Sequence, residues 1–283
     1  MTQRYRTALL LAPAGAWLLC MLVLPLVVVL VYSFGERAEA GGYAPAFSFD
    51  NYLNLGTRWT AFQNTLTLAP LGTLMCLVIA WPLAWFLAMR ADPRWKTLLL
   101  VLVIVPFWTS ILIRSYAWIF LLGGQGIPSL LNALGLGNPR LINTPFAVMV
   151  GIVYGYLPLM VFPIYVSLEK LDKRLLEAAA DLGAPPWRRL WQIAVPISMP
   201  GVATGSMLVF ILLMGEFLIP AMLGGGKVFF VGNALVDLFL QSRNWPFGAA
   251  VAVALVVVML ITVAAYMRLT RALGGTRDDV SLM

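Results

Sequence analysis

Two charged residues, Arg114 and Glu216, lie inside long apolar runs of the chain. Ionisable groups at bilayer depth are costly and by default suggest function. Glu216 is the only acidic residue within such a run and Arg114 the only basic one. Two readings compete: a structural brace between them, or a carboxylate serving a cationic ligand or a gate. A cation also binds aromatic faces, with about 0.5–2 kcal/mol per contact. Trp108, Tyr116, Trp118, Tyr154 and Tyr156 could supply them. Each equally suits an interface belt or simple packing. Asp237, in a more polar stretch, could attract cations or meet a partner; as an isolated residue it reads as an exposed loop charge.

Other chemistry is poorly supplied. The chain has no histidine, which removes His metal sites, Ser-His-Asp triads and His proton relays. Its two cysteines, Cys20 and Cys76, both fall in apolar runs and support neither a disulfide nor a zinc site. No metal site is expected. The stretch Gly224-Gly225-Gly226-Lys227-Val228 imitates a phosphate-binding loop. That loop needs G-x-x-x-x-G-K-[ST]. Here Ala221 stands where the first Gly belongs, and Val228 replaces the Ser or Thr that would hold magnesium. The chain is therefore expected to bind no nucleotide or cofactor of its own.

The elements that carry these residues are spans. Hydrophobic residues make up 61% of the 283 and charged ones 11%, far from the balance of a soluble domain. A span takes about 20 mostly apolar residues. Six candidates fall at about 9–33, 62–89, 98–122, 145–168, 199–222 and 247–267, in one all-α membrane domain over 1–283. The first follows Arg4 and Arg6 but is too long for a signal peptide's apolar core, so it reads as a retained helix. With the N-terminus in the cytoplasm, Lys and Arg divide thirteen inside against five outside, with Arg114 between. Both termini are then cytoplasmic. The net charge of +7 follows from topology, without nucleic acid. Gly151-x-x-x-Gly155 and Gly201-x-x-x-Gly205 permit close helix packing. Pro158 and Pro163 predict a kinked fourth span. No internal repeat is evident, which weighs against a carrier built of two related halves. An ion-coupled carrier would also want more intramembrane acids than Glu216.

Between the fourth and fifth spans lies a charged loop over 169–198, which this topology puts in the cytoplasm. Leu168, Leu171, Leu175 and Leu182 share one helical face, so the fourth span is expected to continue out of the bilayer. Gly183 suits a left-handed helix end. Pro185 and Pro186 can start a new helix. Trp187, Leu190, Trp191 and Ala194 give that helix an apolar face, and Pro196 is expected to close it before the fifth span. Helix, sharp turn, helix suits a hairpin on the membrane surface and equally a plug for a partner's groove.

Spacing decides between them. Glu177-Ala178-Ala179, three residues, Gly183, nine residues, Ile193, one residue, then Val195-Pro196 resembles the signature of ABC importer permeases, with Val195 for the usual Leu. The resemblance implies that this loop is a coupling helix seated in a cytoplasmic ATPase, carried by Glu177, Ala178, Ala179, Gly183, Ile193 and Pro196. Further stretches are similar to the spermidine/putrescine permeases: Val105-Pro106-Phe107-Trp108-Thr109-Ser110, Ile113-Arg114-Ser115-Tyr116-Ala117-Trp118, Tyr154-Gly155-Tyr156-Leu157-Pro158, Gly215-Glu216-Phe217-Leu218-Ile219-Pro220 and Trp245-Pro246-Phe247-Gly248. Permeases for iron, thiamine and phosphonates resemble this set too. The resemblance implies an inner-membrane subunit beside a second, related permease. Two ATPase copies that bind ATP and magnesium would sit below and a periplasmic binding protein above.

Overall fold

The computed structural model describes the backbone of residues 3–274 and the side chains of residues 10–268. Arg277 and the side chains of Arg4, Arg6 and Arg271, used above to orient the chain, lie outside the described residues. Among the described residues, five helical runs are long and apolar enough to cross a bilayer: Leu10–Tyr32, Asp50–Arg90, Pro145–Glu169, Pro186–Met214 and Trp245–Arg268. A bent pair, Pro93–Trp108 with Ile111–Ala133, makes a sixth if counted as one span.

In chain order the elements begin with α1 (Gln3–Tyr32), a two-stranded ribbon of β1 (Glu36–Arg37) and β2 (Tyr43–Ala44), and α2 (Asp50–Leu53). Then come α3 (Trp59–Trp85), α4 (Pro93–Trp108), α5 (Ile111–Leu122), α6 (Ile127–Ala133) and α7 (Pro145–Glu169). The remainder is α8 (Lys173–Asp181), α9 (Pro186–Arg189), α10 (Val195–Met214), α11 (Leu218–Leu223), α12 (Val231–Val236) and α13 (Trp245–Gly274). Wide i→i+5 turns at 86–90, 190–194 and 237–241 extend α3, join α9 to α10 and extend α12.

Backbone packing groups the chain into two units. The first takes Met1–Trp59 and Ala234–Val258. None of the apolar window of α1 is buried; its Trp17, Leu18 and Leu22 face outward, as a helix surrounded by lipid or by another subunit would have it. The ribbon pairs Glu36 with Ala44, and Tyr43 stacks on Tyr32 with ring centres 4.2 Å apart. Arg37 donates to the Ser242 carbonyl at 2.8 Å. Arg58 pairs with Asp237 at 2.9 Å.

The second unit takes Thr60–Asn233 and Met259–Met283. Its centre is the contact of α7 with α10, made close by small residues. A methyl group on Gly201 would strike the Pro163 carbonyl and the Ser167 hydroxyl, and one on Gly205 would come within 3.0 Å of Met160 Sδ. Gly151 is closed off by Leu223 and Ile219 of α11, the latter at 2.8 Å, and Gly72 of α3 by Ile152 at 2.9 Å. Val148, Ile152, Met160, Ile164, Leu168, Leu213 and Met214 form the buried core.

Two predicted spans are not straight rods. The third, 98–122, breaks at Thr109–Ser110, where both residues are extended and the chain bends by 91°. Pro106 lacks the N–H that would bond one turn back. The Thr109 hydroxyl donates to the Pro106 carbonyl at 2.7 Å, satisfying an acceptor that the helix end leaves open. The fifth, 199–222, stops at Met214 and restarts as α11. Pro158 and Pro163 lie inside α7, which is assigned as a single helix from Pro145 to Glu169.

Candidate functional site

The loop between α7 and α10 is built by three local signals. α7 ends at Glu169, with the Leu171 N–H donating to the Leu168 carbonyl at 3.0 Å. Asp172 then starts α8 by accepting from the Arg174 N–H at 2.9 Å, a side-chain N-cap. The fourth span therefore does not continue into the loop as expected. Leu168 and Leu171 stay in the core, while Leu175 belongs to a separate helix that Leu182 caps, and both are exposed, Leu182 at 89%. Asp172 wins over the leucine spacing because capping makes a new helix start cheaper than a longer span.

The turn after α8 is as the sequence predicts. Gly183 is left-handed at φ +82. The Ala184 N–H donates to the Ala179 carbonyl at 2.9 Å and the Gly183 N–H to the Ala180 carbonyl at 2.8 Å. That pair of bonds is the Schellman closure. Pro186 opens α9, and Arg189 reaches back to the Leu176 carbonyl at 3.4 Å. Pro196 does not close the second element. Helix runs from Pro186 through Met214, because the wide turn at 190–194 shifts the bonding pattern just before the residue that cannot donate. Ala194 is buried and Ile193 and Pro196 are half-buried, tying this arm to the core. Glu177, Ala178, Leu182, Trp187 and Trp191 are exposed. The hairpin thus presents a carboxylate and two tryptophans on a rigid, capped frame.

The break between α10 and α11 is organised by Glu216, which is buried. Its Oε1 accepts from the N–H groups of Phe217, Leu218 and Ile219 at 2.9, 2.8 and 3.2 Å. Its Oε2 accepts from the Tyr156 hydroxyl of α7. A carboxylate at a helix start answers both the unpaired N–H groups and the dipole. The segment before α12 locks the break from behind. Asn233 Nδ2 donates to the Phe217 carbonyl at 2.7 Å, and its Oδ1 accepts from the Phe230 N–H at 3.1 Å. A methyl on Gly232 would sit 2.6 Å from the Glu216 carbonyl. Thr65 of α3 accepts from the Val231 N–H at 2.9 Å. Thr65 and Asn233, unmarked in the sequence, hold this break; no apolar periodicity points to either.

Arg114 and Glu216 form no ion pair, since the carboxylate already has four donors. Arg114 Nε and Nη1 are instead buried without a partner. The residue lines a narrow crevice with Trp118, Tyr154, Gly155 and Ile219. Trp118 meets Tyr154 edge-on at 5.6 Å. Tyr156 lies on another side of α7 and serves Glu216. Trp108 and Tyr116 are exposed, at 78% and 64%, and are not gathered with the others. Asp237 is engaged by Arg58. Among the described residues no group of His, Cys, Asp and Glu could hold a metal ion.

Bilayer-length apolar helices, some of them broken, with a capped hairpin between two of them define a polytopic membrane protein. The chain belongs to the family of binding-protein-dependent transport system inner membrane components, whose model matches residues 80–274. It is 41% identical over 263 residues to the spermidine/putrescine transport system permease protein PotB of Haemophilus influenzae, covering 91% of this chain and 92% of that one. To the protein of the same name from Salmonella typhimurium it is 39% identical over 285 residues, covering 99% of each. It shares its fold, at 18% identity and a TM-score of 0.78 over 95% of each chain, with a bacterial alginate ABC transporter in complex with an alginate-bound periplasmic protein. The chain is thus a multi-pass inner-membrane permease of the ABC importer class.

Proposed function

We propose that the chain is one half of the membrane passage of an ATP-driven importer of polyamines, spermidine or putrescine. The observation that carries the solute class is identity of 39–41% to the PotB permeases over nearly the whole chain. In this reading six spans place both termini and the 169–198 loop in the cytoplasm. A second permease subunit completes the passage, two copies of an ATPase bind ATP and magnesium, and a periplasmic binding protein delivers the solute. The chain has no ATPase site of its own.

Glu177, Ala178 and Gly183 form the exposed end of the hairpin with Ala179 half-buried behind them, and Ile193 and Pro196 join it to α10. Closure of the ATPases draws the hairpin inward. The continuous helix from Pro186 to Met214 carries that motion to the Glu216 break, because a helix transmits tilt where a loop would absorb it. The exposed rings of Trp108 and Tyr116 offer faces to an ammonium chain, while Trp118 and Tyr154 flank Arg114. Glu216 and Tyr156 hold the break that faces this passage.

The reconstituted complex tests the reading. Its ATPase should be stimulated by binding protein loaded with spermidine or putrescine. Stimulation by thiamine, iron or a phosphonate in their place overturns the solute. Glu177→Ala and Gly183→Asp should each reduce uptake at least tenfold while the complex still assembles. Unchanged uptake in both removes the coupling role.

A further inference from the structure

A groove of about 600 Å³ lies between the end of α3 and the α8–α9 hairpin. Its walls include Trp81, Trp85, Arg90, Leu176, Trp187 and Arg189, and no acidic residue lines it. Trp81 and Trp85 stack 5.9 Å apart and nearly parallel, and Trp81 is fixed by donating to the Ser198 hydroxyl at 2.9 Å. Arg189 Nε is buried with no partner, and its Nη1 makes only the long contact to the Leu176 carbonyl. Among the described residues, neither Arg90 nor Arg189 takes part in an ion pair. Two cations so placed call for an anion, and guanidinium groups prefer the paired oxygens of a phosphate. The groove also has an apolar side along the Arg90 end of a bilayer-length helix, Asp50–Arg90. Tryptophans beside arginines at a span end mark headgroup level.

We propose that this groove binds the phosphodiester headgroup of an anionic phospholipid, held by Arg90 and Arg189, with its acyl chains along Trp81 and Trp85. A lipid bound there touches both the span and the hairpin, so it ties the hairpin to the bilayer surface. Basic pockets between membrane helices take such headgroups. The inference rests on the membrane reading alone and not on the solute or on coupling.

The test uses the full complex, purified in detergent, incubated with mixed vesicles of phosphatidylglycerol and phosphatidylcholine, and read by native mass spectrometry. The wild type should retain phosphatidylglycerol in preference to phosphatidylcholine. The double variant R90Q/R189Q should weaken that retention by about 30-fold, two surface cations' worth. R90K/R189K keeps both charges but loses the paired geometry and should fall between the wild type and R90Q/R189Q, whereas R188Q, a neighbour outside the groove, should retain the lipid as the wild type does. Equal retention of the two lipids by the wild type overturns the proposal without any variant. So does a double variant that loses a neighbouring subunit and no lipid, which would assign the groove to an acidic protein segment. Displacement by inorganic phosphate would make the ligand a free anion. No outcome involves transport, so failure here leaves the proposed importer standing.

Discussion

At the scale of single residues, the chemistry of this chain concentrates on Glu216. Its carboxylate gathers three backbone N–H groups and the Tyr156 hydroxyl at a helix break. Hydrogen bonds to charged groups contribute about 1.5–3 kcal/mol each. Tyr156→Phe should therefore lower stability by about 2 kcal/mol, read as the unfolding midpoint of the purified complex. Glu216→Ala leaves the N–H groups unpaired and should cost more, about 3 kcal/mol or above. Glu216→Gln keeps one acceptor oxygen and should fall between. An unchanged midpoint in Glu216→Ala would mean that the carboxylate serves something other than the break. That Glu216 matters was legible, because it is the sole acid in a predicted span. Its partners were not, because they appear only when the helix stops at Met214. Mean hydropathy is blind to such a stop in the middle of an apolar run. Asp237 teaches the same lesson in reverse. Its pairing with Arg58 joins residues far apart in sequence, and such half-exposed pairs contribute about 0–1 kcal/mol. Asp237→Asn should accordingly move the midpoint very little.

At the scale of elements, glycines set how closely helices approach and where they end. Gly201 sits against the Pro163 carbonyl and Gly205 against Met160, so α7 and α10 touch backbone to backbone. Gly201→Val cannot be absorbed by a side-chain shift, since the obstacle is main chain. It should abolish folded, extractable protein, measured by size-exclusion chromatography. Gly205→Ala meets the Met160 thioether at 3.0 Å, which can move, and the Met160 carbonyl at 3.2 Å, which must give by a few tenths of an ångström; it should cost about 1–2 kcal/mol. Recovery of Gly201→Val at wild-type yield would overturn the packing argument. The two small-residue pairs were visible in the sequence, but the helices they face were not. Spacing alone does not choose a partner. The Schellman turn at Gly183 was fully legible, because it depends only on the consecutive residues from Ala179 to Ala184. The bend at Thr109–Ser110 and the restart at Asp172 were missed. In both places a short polar side chain bonds local backbone and overrides a continuing apolar pattern.

At the scale of the whole molecule, the distribution of Lys and Arg predicts which surface meets which compartment, and the geometry makes that prediction testable residue by residue. Leu182, on the hairpin, is 89% exposed, and Leu136, between α6 and α7, is 71% exposed. The charge bias puts the first inside and the second outside. In a background of Cys20→Ser and Cys76→Ala, Leu136→Cys should react with a membrane-impermeant maleimide in intact spheroplasts. Leu182→Cys should react only after the membrane is opened. The choice of sites matters, because both side chains point away from the chain and neither takes part in a hydrogen bond that substitution would break. Labelling of Leu182→Cys from outside would invert the topology and with it the coupling role of the hairpin, since an ATPase can act only where ATP is. Protection of Leu182→Cys even in opened membranes, with release when the ATPase is stripped away, would go further. It would show the hairpin seated in that subunit, with its exposed leucine and tryptophans covered by the partner that the bare chain lacks.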